Sequence, residues 1–508
     1  MTAPSRTFSY GLIKNVIWNF AGQIWMLSLA FFATPYIVRT MNVSLYGIYS
    51  LVWVIIGYFS FLQLGLGTAA TKYIAQYFDT KENEKIRKTF WACLTIYSVM
   101  GIVGTATIVL FSRFIVERMM RIPLEFKNTA IFVIRLGSLG FLVTMVMSVI
   151  SGVIQAVGRF DVLNLRGVVF GTLQIGLTVF LLKIGLSLKE VIISNLLIDL
   201  AGIYVLWIWI KKILPFLTKP VWDKESAVSL FRFGGFVTVS GVIGPILSNI
   251  EKLFLTSARS ISTLTYYSVP FGLMDKLTVI RSSFSSVLFP AFSSLQDSHD
   301  KKFNQDLFER STLYILLLYS FFVLFFIVFG KLFLAAWIGN DFAAYSARIL
   351  AILAIAGVVN AIASPAMNVL QGFNKPHIPA FFHVIEIILY IPSAYLLILR
   401  FGGTGAALAW FLRVLLDTIL LHQASCSLFG ERILAWYARL IACSFIPVSV
   451  CGLALYGFRN LNLRFFSFGN ILGLGAIFIA YLFIVWKLGL DDFARQRMRE
   501  FVKGLQPR

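Results

Sequence analysis

The chain has 508 residues, of which 58% are apolar and 13% charged, with a mean hydropathy of +0.83. That balance excludes a water-soluble globular protein and requires a surface facing lipid. The net charge of +21 would suit a nucleic-acid binder only if it were gathered on one patch or arm. The Lys and Arg residues are instead spread over many short loops, so no nucleic-acid partner is expected.

A spanning helix needs about 20 mainly apolar residues. In chain order, fourteen such stretches centre near residues 26, 55, 100, 142, 173, 201, 243, 276, 320, 357, 388, 414, 444 and 477. The N-terminal MTAPSRTFSYGLIKN runs straight into the first span without an A-x-A-like cleavage site, so no removable signal peptide is expected. With alternate loops assigned to alternate sides, the N-terminal side carries roughly twice as many Lys and Arg as the other. This places both termini in the cytoplasm of a cell (inner) membrane. Pro35, Pro245, Pro270 and Pro365 are candidate kinks.

The spans repeat. Tyr49-Ser50 falls on Tyr267-Ser268, Gly67 on Ser285, Gln155 on Gln371 and Asp199 on Asp417. The expected fold is all-α and polytopic, with about 14 transmembrane helices. Two parallel six-helix repeats would surround a central cavity, with two extra C-terminal helices. The expected divisions are an N-terminal lobe at 1–213, a cytoplasmic linker at 214–228, a C-terminal lobe at 229–430, two accessory helices at 431–488 and a basic amphipathic tail at 489–508. The tail reads as an interfacial helix. An even number of spans per half lets two bundles rock against each other, which suits transport.

The run KNVIWNFAGQIWMLSLAFFATPYIVRTMNVSLYGIYSLVW (14–53) resembles the Wzx-type polysaccharide flippases of the multidrug, oligosaccharidyl-lipid and polysaccharide exporter superfamily. So do LGLGTAATKYIAQ (64–76), LSNIEKLFLTSARSISTLTYYSVPFGL (247–273) and GGTGAALAW (402–410). The resemblance covers nearly the whole chain. At Glu251 this sequence departs from an aspartate common in the family. The resemblance implies translocation of a polyprenyl-diphosphate-linked oligosaccharide from the inner to the outer leaflet, for O-antigen or exopolysaccharide assembly. It implies membrane lipids, a coupling ion (proton or sodium) and other polysaccharide-assembly membrane proteins as partners. Two alternatives stand beside it, a lipid II type peptidoglycan-precursor flippase and, from another class, a membrane glycosyltransferase or polymerase. No enzyme activity is expected, because the longest outward loops, near Ser112 to Lys127 and Lys331 to Arg348, leave no room for a catalytic domain.

Charges inside spans cost about 2.5 to 3.5 kcal/mol each at a helix centre, so they face a partner or a wet cavity. Arg413 and Asp417, four apart, are expected to pair on one helix, with Asp417 and its repeat mate Asp199 structural. Arg135, Lys252, Lys276 and Arg281 are the candidate binders of a diphosphate; the last three have no charged repeat mate. Glu251, Asp275 and Glu386 are the candidate counter-ions or ion-coupling acids. His299, His377, His383 and His422 and the four cysteines are read as packing or helix-end residues, with no metal site and no cofactor expected. The chain carries no G-x-x-x-x-G-K-[ST] phosphate loop. With the interior negative, exporting a dianion would gain about 2.3 kcal/mol per charge per 100 mV.

Overall fold

The computed structural model describes residues 6–59, 66–294, 301–460 and 468–489. Among them every regular element is helical. The α-helices in order are α1 (Arg6–Phe59), α2 (Leu66–Asp79), α3 (Asn83–Phe114), α4 (Leu124–Ala156), α5 (Phe160–Lys183), α6 (Leu188–Ile213), α7 (Lys224–Ala258), α8 (Ile261–Asp275), α9 (Thr278–Ser294), α10 (Lys301–Trp337), α11 (Asn340–Gly372), α12 (His377–Phe401), α13 (Gly403–Phe429), α14 (Ile433–Arg459) and α15 (Phe468–Ile484). Ten helices among the described residues are long and apolar enough to cross a membrane. The basic amphipathic tail falls outside the described residues.

The element order repeats as the sequence predicts. Helices α3, α4, α5 and α6 begin at residues 83, 124, 160 and 188, and α10, α11, α12 and α13 at 301, 340, 377 and 403, a spacing of 215 to 218. The repeat extends to a cap. α1 is broken at Asn42, which takes a positive φ of 63°, and its Oδ1 accepts from the Leu45 N–H at 3.0 Å. At the matching place between α7 and α8, Ser260 Oγ accepts from the Thr263 N–H at 3.2 Å. Each side chain supplies an acceptor for a donor left unpaired in the first helical turn.

Two expectations change in detail. The spans centred near 26 and 55 lie end to end along α1, divided by the Asn42 break. The span centred near 276 is two helices, α8 and α9, interrupted at Lys276 and Leu277. Tyr319 of α10 steadies that interruption by donating its hydroxyl to the Leu277 carbonyl at 2.5 Å.

The chain divides into two compact units, residues 1–265 and 266–508. In the first, α2, α3 and α4 enclose a core that includes Ile74, Phe90, Tyr97, Phe141 and Ile150. A second core joins Ile48 and Leu51 of α1 to Ile108, Ile134 and Leu264. In the second unit, Phe292, Phe308, Val369, Leu421 and Trp436 bring α9, α10, α11, α13 and α14 together. The accessory helices α14 and α15 pack on α10 through Phe321, Cys451, Leu455 and Tyr481. The Tyr481 hydroxyl donates to the Leu317 carbonyl at 2.7 Å and lies 2.7 Å from Ser320 Oγ.

Outward faces carry large exposed apolar residues such as Phe32, Leu110, Leu396 and Leu453. Helices apolar all round, with backbone donors and acceptors satisfied internally, are what hydrocarbon tolerates. This is an all-α, polytopic membrane protein.

Candidate functional site: a buried charge cluster between α12 and α13

The candidate cations lie in separate settings. Arg135 is on an exposed part of α4, with its Nε donating to Ser112 Oγ of α3 at 2.8 Å. Lys252 of α7 is half-buried and donates to Asn249 Oδ1, one turn back, at 2.9 Å. Its neighbour Glu251 is fully buried. Asp275 and Lys276 are exposed at the α8–α9 interruption, where the Asp275 carbonyl accepts from Thr278 Oγ1 at 2.6 Å. Arg281 sits half-buried on α9, within electrostatic reach of Tyr319.

Glu386 has a more demanding environment. It is 0% exposed on α12, and Arg413 of α13 reaches across to place Nη1 3.1 Å from its Oε2. Arg413 therefore pairs with the neighbouring helix and not with Asp417 on its own, which corrects the expected intrahelical pair. The physical reason is desolvation: a carboxylate fully removed from water needs a charge-assisted partner more than one that keeps some access. Asp417, 8% exposed, is left with its Oδ1 buried and without a hydrogen-bond partner, as is Glu386 Oε1. His383, one turn before Glu386, completes the group. One donor atom each from His383, Glu386 and Asp417 lies within 4.8 Å of the others.

His383 was assigned a packing role by the sequence. Its i,i+3 relation to Glu386 was visible, but a helical spacing does not reveal which neighbouring helix brings Asp417 to meet it. Histidine with two carboxylates is a donor set that metals use, yet here the Arg413 guanidinium already occupies the charge-balancing place beside Glu386. Its positive charge opposes a further divalent cation.

The sequence-matched place in the first unit is built differently. Asp199 Oδ1 accepts from Gln174 Nε2 at 3.0 Å and from Arg166 Nη2 at 3.3 Å. Its side chain keeps 25% exposure. Arg166 stands where the second half has His383, Asn195 where it has Arg413, and Val168 or Val169 where it has Glu386.

His422 is saturated. Its Nε2 lies 3.0 Å from the Ile362 carbonyl, which can only accept, so Nε2 carries the hydrogen and Nδ1 accepts from the Tyr437 hydroxyl at 2.8 Å. This histidine ties α11, α13 and α14 together and stays a packing residue. Cys93, Cys426 and Cys451 are buried as free thiols.

Residues 12–296 match the model of the family described as "Polysaccharide biosynthesis protein". A Shigella flexneri protein described as "Putative O-antigen transporter" is 22% identical over 412 residues, 81% of this chain and 97% of its own. Two solved structures share the fold. The lipid II flippase MurJ in an inward closed conformation aligns with a TM-score of 0.69 at 12% identity, over 94% of this chain and 99% of its own. An inward-facing multidrug resistance MATE family transporter of the MOP superfamily gives 0.68 at 13% identity, over 80% and 98%. The family match spans more than half of the sequence and agrees with the Wzx-type resemblance carried by its motifs: the chain belongs to the polysaccharide biosynthesis protein family.

Proposed function

We propose that this protein is a flippase that carries polyprenyl-diphosphate-linked oligosaccharide units from the inner to the outer leaflet of the cell membrane, for assembly of a surface polysaccharide. The observation that carries the reading is the duplicated helical architecture: four consecutive helices in each half start 215 to 218 residues apart. The match to an O-antigen transporter along nearly that protein's whole length supports it. Both termini lie in the cytoplasm in this reading, and other polysaccharide-assembly membrane proteins receive the product.

Moving a diphosphate through hydrocarbon requires its water to be replaced by fixed donors, and Arg or Lys supplies charge-assisted ones. Arg135, Lys252, Lys276 and Arg281 are assigned this role. Glu251, Asp275 and Glu386 serve as counter-ions or ion-coupling acids. Lys252 and Arg281 are the sharper candidates, because half-buried cations interact with an anion through a lower local dielectric than exposed ones.

The test is transfer of a labelled polyprenyl-diphosphate oligosaccharide by the purified protein in sealed vesicles. Wild type is expected to move it, and Arg281→Ala and Lys252→Ala to move it more slowly at equal folded yield. Unchanged rates in both variants would remove these two residues from the substrate path. A second reading, a lipid II type precursor as cargo, is favoured by the alignment with MurJ over 94% of the chain. Lipid II in the same vesicles decides between the two.

A further inference from the structure

We propose that Glu386 and Asp417 together bind one proton, and that this proton is the coupling ion of the transport cycle. The coupling half of this inference rests on the flippase reading; the binding half does not.

Two carboxylates and one guanidinium meet between α12 and α13, leaving one excess negative charge while His383 is neutral. Glu386 and Asp417 are each more than nine-tenths buried. Proteins avoid an uncompensated buried charge by pairing or neutralising it. Each carboxylate also has an oxygen with no hydrogen-bond partner, and Arg413 Nε is likewise buried without one. Two carboxylates are acceptors only, so neither can satisfy the other until one takes a proton and becomes a donor. One proton removes the excess charge and allows an O–H···O bond between the two groups.

With His383 neutral, no other charged group substitutes for it. From α12 the ionisable groups at the cluster are His383 and Glu386, with Tyr390 presenting its ring to Arg413 at 5.7 Å. From α13 they are Arg413 and Asp417. Helix α11 packs on α13 and meets it at this level through Thr418 Oγ1, which donates to the Val359 carbonyl at 3.0 Å. The charged residues of α11, Asp341 and Arg348, lie at least 11 positions from Val359, about 16 Å along the helix. On α14, Arg439 is held by Glu309 of α10 and by Glu431. His422, the next ionisable group on α13, has both ring nitrogens engaged.

The occupant is a proton and not a metal ion. A divalent ion would turn the cluster net positive beside a guanidinium. Hard metal ions also collect about six or more oxygen ligands, whereas the unpartnered carboxylate oxygens here are two. The first-half counterpart shows the arrangement without the extra acid: Asp199 and Arg166 balance one for one, and Gln174 donates a second bond to Asp199.

Binding forms an O–H bond on one carboxylate oxygen. Release to water, when the α12–α13 pair is hydrated, returns one negative charge to the cluster, which that water solvates while Arg413 stays paired with Glu386. The proton thus adds to one side of the cycle and leaves on the other, with no other reactant consumed.

Infrared difference spectra of the full chain in lipid nanodiscs test the binding directly. Wild type at neutral pH is expected to show a carboxylic-acid C=O band that is lost in Glu386→Gln and in Asp417→Asn, because either variant leaves one acid for one guanidinium. Arg413→Gln is expected to keep the band and Asp199→Asn to leave it unchanged. Both amide variants conserve shape, and a melting temperature for each separates loss of the proton from loss of the fold. Absence of the band in wild type, or sodium removing it while raising the melting temperature, overturns the proton assignment. For the coupling, sugar-lipid flipping by wild type should fall when a pH gradient is collapsed by an ionophore, and Glu386→Gln should lose that dependence. A wild type that shows the band yet flips at the same rate without the gradient refutes the coupling alone. A protein that shows the band and flips no sugar lipid refutes the flippase reading and leaves the site standing.

Discussion

The α5–α6 pair of the first half and the α12–α13 pair of the second descend from the same repeat, yet they solve the problem of a membrane-embedded aspartate in opposite ways. Asp199 is partly exposed and matched by one arginine and one glutamine. Asp417 is nearly enclosed and shares one arginine with a second acid, Glu386. The links between the helices differ as well. α5 and α6 are joined through a capping box in which the Ser187 hydroxyl accepts from the Lys189 N–H and the Glu190 carboxylate accepts from the Ser187 N–H. α12 and α13 turn at Gly402, which has a φ of 58°, and Gly405 then approaches so closely that a Cβ would lie 2.0 Å from the Leu397 carbonyl oxygen. One repeat keeps a neutral pair with polar caps; the other keeps an unbalanced cluster between tightly apposed helices.

The largest expected effect breaks this comparison at Arg413. Replacing Arg413 with Leu leaves Glu386 buried without its cation and should cost about 3 to 5 kcal/mol, read as a large fall in thermal stability. Adding Glu386→Gln to that variant should recover most of it. If the double variant is no more stable than Arg413→Leu, the pair is not what holds α12 to α13. Next, Gly405→Ala should destabilise by about 1 to 3 kcal/mol because its methyl meets backbone atoms that cannot yield; the same melting measurement checks it, and a neutral result would mean the α12–α13 turn is looser than described.

In the first half the costs should be smaller. Arg166→Leu is expected to cost less than Arg413→Leu, since Asp199 keeps a Gln174 bond, and Ser187→Ala about 1 kcal/mol through its cap. An Arg166 variant as damaging as the Arg413 one would erase the asymmetry.

The smallest effect is on pH. In the loop before α14, Arg439 and then Gln305 hold the Glu431 carboxyl below the usual carboxylate range. A lowered folded value means that its contribution is complete above the unfolded value of about 4.3 and is lost as pH falls through the folded one. Acid should therefore loosen α14 from α10 before neutral pH does, and Glu431→Gln should remove that part of the pH dependence, as hydrogen exchange across 431–440 would report.

Much of the fold was legible because lipid imposes a simple rule on composition and because duplication gives the chain an internal ruler. The capped breaks at Asn42 and Ser260 obey that ruler. The interruption at Lys276 and Leu277 did not stand out, because the residues on both sides are apolar enough to read as one span. The charge cluster was half legible. Glu386 and Asp417 were recognisable as costly, but the i,i+4 rule pointed Arg413 towards Asp417, whereas the cross-helix carboxylate is the more deeply desolvated and takes the guanidinium. His383 joins only through the packing of α12 on α13, which sequence spacing does not encode.

The most direct measurement follows a labelled polyprenyl-diphosphate oligosaccharide, placed in one leaflet of sealed vesicles, into the other in the presence and absence of the purified protein. Transfer is expected to require the protein and to slow in Arg281→Ala. Equal transfer rates with and without the protein, across several sugar lipids and lipid II, would contradict the flippase reading.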